Sequence, residues 1–173
     1  MGLNHIYCGD GKGKTTAALG LAIRAAGAGI KVHIIQFLKG TDTAELTSLE
    51  KIDNITIERC DENCPFSFMM NESQKAEISC RHNEMLRNAA ALLSKKKIQM
   101  LVLDEFLDAY NLGLLDRELA DSVALRHYET AEIVITGRNP SDAYISEADY
   151  ISEISALKHP YNRGIPARKG IEF

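Results

Sequence analysis

The chain has 173 residues, of which 45% are hydrophobic and 25% charged; this composition excludes a disordered or fibrous chain and indicates a single globular domain over residues 1–173. Its net charge of −4 argues against a general nucleic-acid binder, because such binding requires a basic face. The sequence has neither a run of about 18 apolar residues nor a signal peptide, so we expect a cytoplasmic protein with no membrane partner.

Short β-branched runs alternate with longer helical stretches, a pattern that predicts an α/β fold with a mostly parallel central sheet flanked by helices. In chain order, the sequence predicts a strand over 3–8, a helix over 15–26, strands over 31–37 and 54–58, a helix over 73–94, a strand over 98–103, a helix from a cap at Asp116 to about residue 128, a strand over 131–136, a helix capped by Asn139 with Pro140 at its first position, and a strand over 150–154. The tail from about residue 158 is rich in proline and glycine and is expected to be irregular.

A glycine-rich segment between the first strand and the first helix carries the strongest functional signal. It consists of Gly9, Asp10, Gly11, Lys12, Gly13, Lys14, Thr15 and Thr16. In a phosphate-binding loop the backbone N–H groups and the helix N-terminus hold the phosphates, while the lysine reaches them and the threonine hydroxyl holds Mg²⁺. The usual spacing would put the first glycine at Cys8, so this loop is one residue short and its phosphate cradle should differ in shape.

A second signal is the apolar strand that ends in Asp104 and Glu105. Such a strand end is the acidic partner of a phosphate-binding loop, and either carboxylate would bind Mg²⁺, directly or through water, beside Thr15. Taken alone, the pattern also fits a strand end with solvated acids. The two motifs together predict a nucleoside triphosphate site, but they leave hydrolysis, phosphoryl transfer, adenosyl transfer and switching open.

Longer stretches of the sequence resemble the corrinoid adenosyltransferases of cobalamin synthesis. The similarity runs in order through residues 9–27 with their shortened loop, 36–40, 102–105, 135–138 and the tail 158–173. It implies a RecA-like phosphate-loop NTPase fold and a reaction in which Co(I) of a corrinoid attacks the 5′ carbon of ATP, so that inorganic triphosphate leaves. It also implies that ATP is held in the opposite sense from ordinary phosphate-loop proteins, which suits a loop that cradles a leaving triphosphate.

The resemblance assigns roles to residues by position. The loop residues 9–16 would bind the triphosphate, Lys14 would neutralise charge that develops on the leaving group, and Thr15 with Glu105 would position Mg²⁺. Arg24 and Arg138 are candidates for nucleotide contacts, with surface ion pairs as the alternative.

On the corrinoid side, the family strips the lower axial ligand of the cobalt with bulky aromatics in a Phe-Thr-Trp segment. The corresponding segment here is Phe66-Ser67-Phe68, so the resemblance implies that Phe66 and Phe68 line the corrin, although both could be plain core residues. It further implies a homodimer and a reduced flavin or flavoprotein as electron donor.

Two other functions remain open from the sequence: a small-molecule kinase or NTPase, and a non-catalytic carrier of ATP or corrinoid. The cysteines at 60, 64 and 80 with His82 have partial zinc-site spacing, but we interpret the cysteines as ordinary reduced thiols.

Overall fold

The computed structural model of the chain describes residues 2–39, 43–60 and 70–172. These residues are organised around one parallel β-sheet. Its six strands are β1 (Asn4–Cys8), β2 (Val32–Gln36), β3 (Ile55–Arg59), β4 (Met100–Asp104), β5 (Glu132–Gly137) and β6 (Tyr150–Glu153). They lie in the order β3-β2-β4-β5-β1-β6, and each pairing is parallel. The predicted α/β fold is confirmed, and the predicted strand bounds agree to within about two residues, the usual uncertainty of such boundaries.

Helices lie on both faces of this sheet. They are α1 (Lys14–Gly27), α2 (Ala44–Leu49), α3 (Glu72–Ser94), α4 (Phe106–Asn111), α5 (Arg117–Ala124) and α6 (Asp142–Glu147), with a short 3₁₀ helix over Pro160–Arg163 in the tail. The longest, α3, begins at a capping box in which Asn71 and Gln74 exchange side-chain and backbone hydrogen bonds. No helix of the described residues is long and apolar enough to cross a bilayer.

Two predicted helix boundaries are wrong. Asn139 does not cap a helix: its φ of 51° is left-handed, whereas an N-cap typically has extended backbone, and α6 begins only after Ser141, whose backbone is extended. The helix capped by Asp116 ends at Ala124, before residue 128. There the carbonyl of Tyr128 accepts a hydrogen bond from the backbone N–H of Gly2, which ties this segment to the N-terminus instead of to the helix.

The core has two layers, one on each face of the sheet. On the α1 face, alanines at positions 18, 22, 25 and 26 let the helix approach Ile34, Val102 and Val134 of three adjacent strands. Side chains alternate along a strand, so the residues two positions later, Gln36, Asp104 and Thr136, continue on this same face. They lie at the carboxyl ends of their strands, and the polar row that they form positions the site.

Candidate functional site

The phosphate loop is shaped by backbone geometry that favours glycine. Gly13 precedes α1 with a φ of 120°, and a Cβ added there would meet no atom within 4 Å, so the space beside the loop is open. Its carbonyl accepts the first helical hydrogen bond, from Ala17. The preceding N–H groups of the first helical turn have no partner within the helix and carry its partial positive charge. This arrangement suits an anion.

The other two loop glycines make room for the chain that follows β6. A Cβ added at Gly9 or Gly11 would lie 2.5 Å or 2.7 Å from the carbonyl oxygen of Ile154. The N–H of Gly11 donates to that oxygen at 2.7 Å, and the N–H of Ile154 donates to the Cys8 carbonyl at 2.8 Å. The end of β6 therefore braces the loop from behind.

Lys14 lies on the first turn of α1 with its ammonium folded back over the loop. The Nζ donates to the carbonyl of Gly11 at 2.9 Å. Burial lowers the pKa of this ammonium, and the positive charge of Arg138 lowers it further. The lysine is thus held against the loop, where an anionic ligand would offer a stronger acceptor than a neutral carbonyl.

Asp104 lies at the centre of the hydrogen bonds of the site and is fully buried. Its Oδ1 accepts hydrogen bonds from the hydroxyls of Thr15 at 2.9 Å and Thr136 at 2.8 Å, and its Oδ2 lies 2.6 Å from the ammonium of Lys39. The Thr15 bond joins the phosphate loop to the acidic strand end across 89 positions of sequence. The two motifs that the sequence singled out therefore meet in space.

Glu105 follows β4 and is partly buried, with 37% of its side chain exposed. Its φ of 57° is left-handed, an uncommon conformation for a residue with a side chain. The Glu105 N–H donates to Thr136 Oγ1 at 2.9 Å, which stabilises this turn. Burial raises the pKa of Glu105 to about 7, while the nearby Lys39 ammonium acts in the opposite direction.

The two predicted arginines lie in different places. Arg138 is next to the phosphate loop, because its side chain lies 3.6 Å from Asp10 of the loop and 3.3 Å from Asp108. The surface ion pair that was the alternative for Arg138 is therefore observed, and it lies beside the loop. Arg24 is exposed near the far end of α1, ten residues and therefore about 15 Å along the helix from Lys14. The structure does not bring Arg24 to the loop of its own chain.

The structure describes only some of the aromatic and cysteine residues that the sequence singled out. Phe66, Phe68 and Cys64 lie outside the described residues. Cys8 and Cys60 are buried, whereas Cys80 is exposed. The described parts of the chain contain no group of three or more His, Cys, Asp or Glu side chains arranged to hold a metal ion.

The donors at the carboxyl edge nevertheless fit one Mg²⁺ ion that is bound together with a phosphate ligand. Mg²⁺ prefers oxygen ligands, keeps several waters and is usually held by one or two protein groups plus substrate phosphates. The Thr15 hydroxyl and the Glu105 carboxylate offer such oxygens beside the loop. Asp104 has both oxygens engaged by protein donors and fits the part of a residue that orients Thr15.

Sequence reasoning missed three parts of the site: Lys39, Thr136 and the Ile154 carbonyl. The first two lie just after β2 and near the end of β5, so each belongs to the carboxyl edge of the sheet, where ligands of parallel α/β proteins bind. A search for polar residues at the end of every predicted strand would have found them. The Ile154 carbonyl is a backbone group, which leaves no signal in a sequence.

Several known proteins similar to this chain are corrinoid adenosyltransferases. A family model described as ATP:corrinoid adenosyltransferase BtuR/CobO/CobP matches residues 1–173. The chain is 34% identical to a corrinoid adenosyltransferase of Pseudomonas aeruginosa, over 99% of this chain and 84% of that protein. It is 32% identical to one of Escherichia coli K12 and 29% identical to the corrinoid adenosyltransferase CobA of Salmonella typhimurium, in both cases over 99% of this chain and 86% of the relative.

Proposed function

This chain belongs to the ATP:corrinoid adenosyltransferase family, and we propose that its phosphate loop and the acidic edge of its sheet hold the ATP of that reaction. The enzyme is a transferase with ATP and a corrinoid as substrates. The observation that carries the site assignment is the hydrogen bond from Thr15 to Asp104, which joins the two motifs. A kinase and a carrier are not favoured.

In the proposed reaction, the electron pair of Co(I) forms a bond to the 5′ carbon of ATP. The bond from that carbon to the triphosphate oxygen breaks, and the triphosphate leaves with its electron pair. No side chain is needed as nucleophile, since the cobalt of the substrate serves as one. The protein therefore contributes orientation, charge stabilisation and exclusion of water.

The loop residues 9–16 receive the triphosphate. Lys14 exchanges the Gly11 carbonyl for a phosphate oxygen and stabilises the charge that accumulates as the triphosphate leaves. Arg138, held by Asp10 and Asp108, is a second cation within reach of the loop. A role for Arg24 with a nucleotide requires a loop other than its own, for example that of a second copy of the chain.

Thr15 and Glu105 hold Mg²⁺, with Asp104 orienting the Thr15 hydroxyl. The ion supplies positive charge to the leaving triphosphate. The Thr15 hydroxyl donates its proton to Asp104 Oδ1, with 2.9 Å between the two oxygens. The lone pairs of the Thr15 oxygen are therefore left for a cation.

The remaining proposals concern the corrinoid side and the cellular setting, and they rest on the family resemblance. Phe66 and Phe68 line the lower face of the corrin, and a reduced flavin or flavoprotein supplies the electron that yields Co(I). The active enzyme is a cytoplasmic homodimer.

Product analysis tests the proposed reaction. The protein is incubated anaerobically with ATP, Mg²⁺ and chemically reduced cobalamin, and both the corrinoid and the phosphate product are identified. We expect adenosylcobalamin and inorganic triphosphate in equal amounts. ADP or orthophosphate together with unaltered corrinoid would contradict the reaction and favour a kinase or NTPase, and bound corrinoid without triphosphate would favour a carrier.

Lys14→Ala provides the matched inactive variant for this assay. It should fold, because Lys14 is only partly buried, and it should lose at least about a hundredfold in turnover, as is usual when a donor to developing charge is removed. Lys97→Met, which changes an exposed lysine before β4, should behave as the wild-type enzyme. Full turnover by Lys14→Ala would remove Lys14 from the mechanism.

A further inference from the structure

Lys39 is a charged residue of the site to which the motifs assign no role. Its ammonium lies 2.6 Å from Asp104 Oδ2, 3.9 Å from Glu45 Oε1 and 4.0 Å from Glu105 Oε1. Three carboxylates thus lie within 4.0 Å of one ammonium, so Lys39 lies at the centre of an acidic cluster.

An unfavourable backbone conformation at the residue before Lys39 directs its side chain to this position. Leu38 has a φ of 58°, a conformation that a branched aliphatic residue rarely adopts. The turn is fixed on both sides: Phe37 N–H donates to the Asp104 carbonyl at 3.0 Å, and Leu38 N–H donates to His82 Nε2 at 3.4 Å. Strain of this kind persists where the surrounding structure fixes it, and it concentrates at functional sites.

The Asp104 carboxylate is closed to a hydrated cation. It is fully buried, and only 16% of the Lys39 side chain that covers Oδ2 is exposed. Because Mg²⁺ gives up its waters reluctantly, the partly exposed Glu105 and the Thr15 oxygen are its accessible ligands. The ammonium and the Mg²⁺ therefore have separate places in the site.

We propose that Lys39 is a positioning residue of the nucleotide site, a fixed internal cation that stays on Asp104 and thereby holds Thr15 in the orientation that binds Mg²⁺. With its charge balanced, buried Asp104 keeps Oδ1 on the Thr15 and Thr136 hydroxyls. Without Lys39, the buried carboxylate loses the one ion-pair partner that it has within 3 Å among the described residues, and it would seek other donors. This inference rests on the magnesium site of the proposed function.

Calorimetry of ATP binding tests the proposal. The dissociation constant of ATP is measured in excess Mg²⁺ and in EDTA. The value in EDTA divided by the value in Mg²⁺ is a ratio that gives the contribution of the metal. We expect Lys39→Met to reduce this ratio by about 10–100-fold, the usual effect of removing a residue that orients a metal ligand. Lys39→Arg should restore most of the ratio, because it keeps a cation for Asp104. Lys97→Met is the matched control and should leave the ratio unchanged.

The other outcomes separate the hypotheses. A larger ratio in Lys39→Met would mean that Mg²⁺ competes with the ammonium for Asp104, and an unchanged ratio would mean that Lys39 does not act on the metal; either result overturns the inference. If the wild-type ratio is already near one, the magnesium site of the proposed function fails instead. Should Lys39→Met not fold, Lys39→Gln, which keeps a donor for Asp104 but no charge, takes its place with the same expectation.

Discussion

At the scale of single residues, the site is a set of hydrogen bonds that converge on one buried carboxylate. The Asp104 carboxylate accepts hydrogen bonds from two hydroxyls and one ammonium. A buried charge is tolerated only when it is paired and hydrogen-bonded, so each donor should contribute to folding as well as to the site.

Thr136→Val tests this view, because valine has nearly the same shape but no hydroxyl. The change removes the donor at 2.8 Å from Asp104 and the acceptor at 2.9 Å from the Glu105 N–H. Since Thr136 is 1% exposed, water cannot replace either partner. We expect the free energy of unfolding to fall by about 2–3 kcal/mol in urea denaturation, the usual cost of leaving buried polar groups unpaired.

The control is Thr47→Val, the same substitution on the exposed face of α2. It should change the free energy of unfolding by no more than about 0.5 kcal/mol. Equal effects of the two substitutions would show that the hydroxyl of Thr136 is not needed for folding.

Motif chemistry made part of this residue-scale arrangement predictable. Thr15 and Asp104 were expected near one another, because a phosphate loop and an acidic strand end form one site in known folds. Lys39 was not foreseen, because its direction depends on the left-handed conformation of Leu38. That conformation is imposed by distant partners, His82 and the Asp104 carbonyl, and a local pattern does not show them.

At the scale of secondary-structure elements, β6 and the phosphate loop form a single unit. The loop fits against the end of β6 only because Gly9 and Gly11 lack side chains. The edge strand, which contains no residue of the phosphate motif, therefore helps to fix the shape of the cradle.

Gly11→Ala tests this coupling. The new Cβ would lie 2.7 Å from the Ile154 carbonyl oxygen and 2.9 Å from its carbonyl carbon, closer than van der Waals contact permits. Loop and strand must then move apart, and the hydrogen bond from Gly11 N–H is lost. We expect the dissociation constant of ATP, measured by calorimetry in excess Mg²⁺, to rise by roughly tenfold or more, which corresponds to the loss of about one hydrogen bond.

Gly20→Ala is the matched glycine control for this measurement. Gly20 is an exposed position within α1, where an added Cβ meets no atom within 4 Å. Alanine is a better helix former than glycine and should stabilise the protein by about 0.5–1 kcal/mol without changing ATP affinity. An unchanged affinity in Gly11→Ala would show that β6 does not set the loop geometry.

Among the helices, the sequence predicted long ones better than short ones. All six strands of the described sheet were expected, since a strand of four to six residues already shows its β-branched or apolar run, and so were the helices α1 and α3, whose apolar patterns extend over several turns. The six-residue helices α2 and α4 were missed, since each covers fewer than two turns. The start of α4 is further hidden because its N-cap, Glu105, has a left-handed conformation and no side-chain cap.

At the scale of the whole molecule, the sheet order was the part that the sequence could not supply. Alternating strands and helices predict a parallel sheet, but they do not say that β5 lies between β1 and β4 or that β6 pairs with β1. The pairings of β1 with β5 and with β6 join residues more than 100 positions apart. The same long-range packing buries groups whose protonation then depends on folding.

His82 is such a group. It is fully buried against Phe37, with its Nδ1 unpartnered among the described residues. Burial lowers its pKa from 6.5 to about 4. Between these values the unfolded chain binds a proton that the folded chain excludes, so stability should decline as the pH falls from 6.5 to about 4, by about 3 kcal/mol in total. Above pH 6.5 this residue should have no effect.

Glu105 acts in the opposite direction over an overlapping range. Burial raises its pKa from 4.5 to about 7, so its contribution favours folding as the pH falls through 7 towards 4.5. The two effects partly cancel in the wild-type protein, and a flat pH profile would therefore not be informative by itself. The comparison that isolates His82 is with His82→Gln, which keeps an acceptor for the Leu38 N–H but does not titrate and leaves Glu105 in place.

Urea denaturation of both proteins at several pH values between 7.5 and about 4 provides the measurement, with each free energy of unfolding extrapolated to water. We expect the advantage of the wild-type protein over His82→Gln to be constant above pH 6.5 and to shrink steadily below it. Parallel pH profiles would mean that His82 takes up its proton equally well in the folded chain. The pocket formed by α3 and the turn after β2 would then be open to water, and the left-handed turn that directs Lys39 to Asp104 would lack the rigid support that its geometry requires.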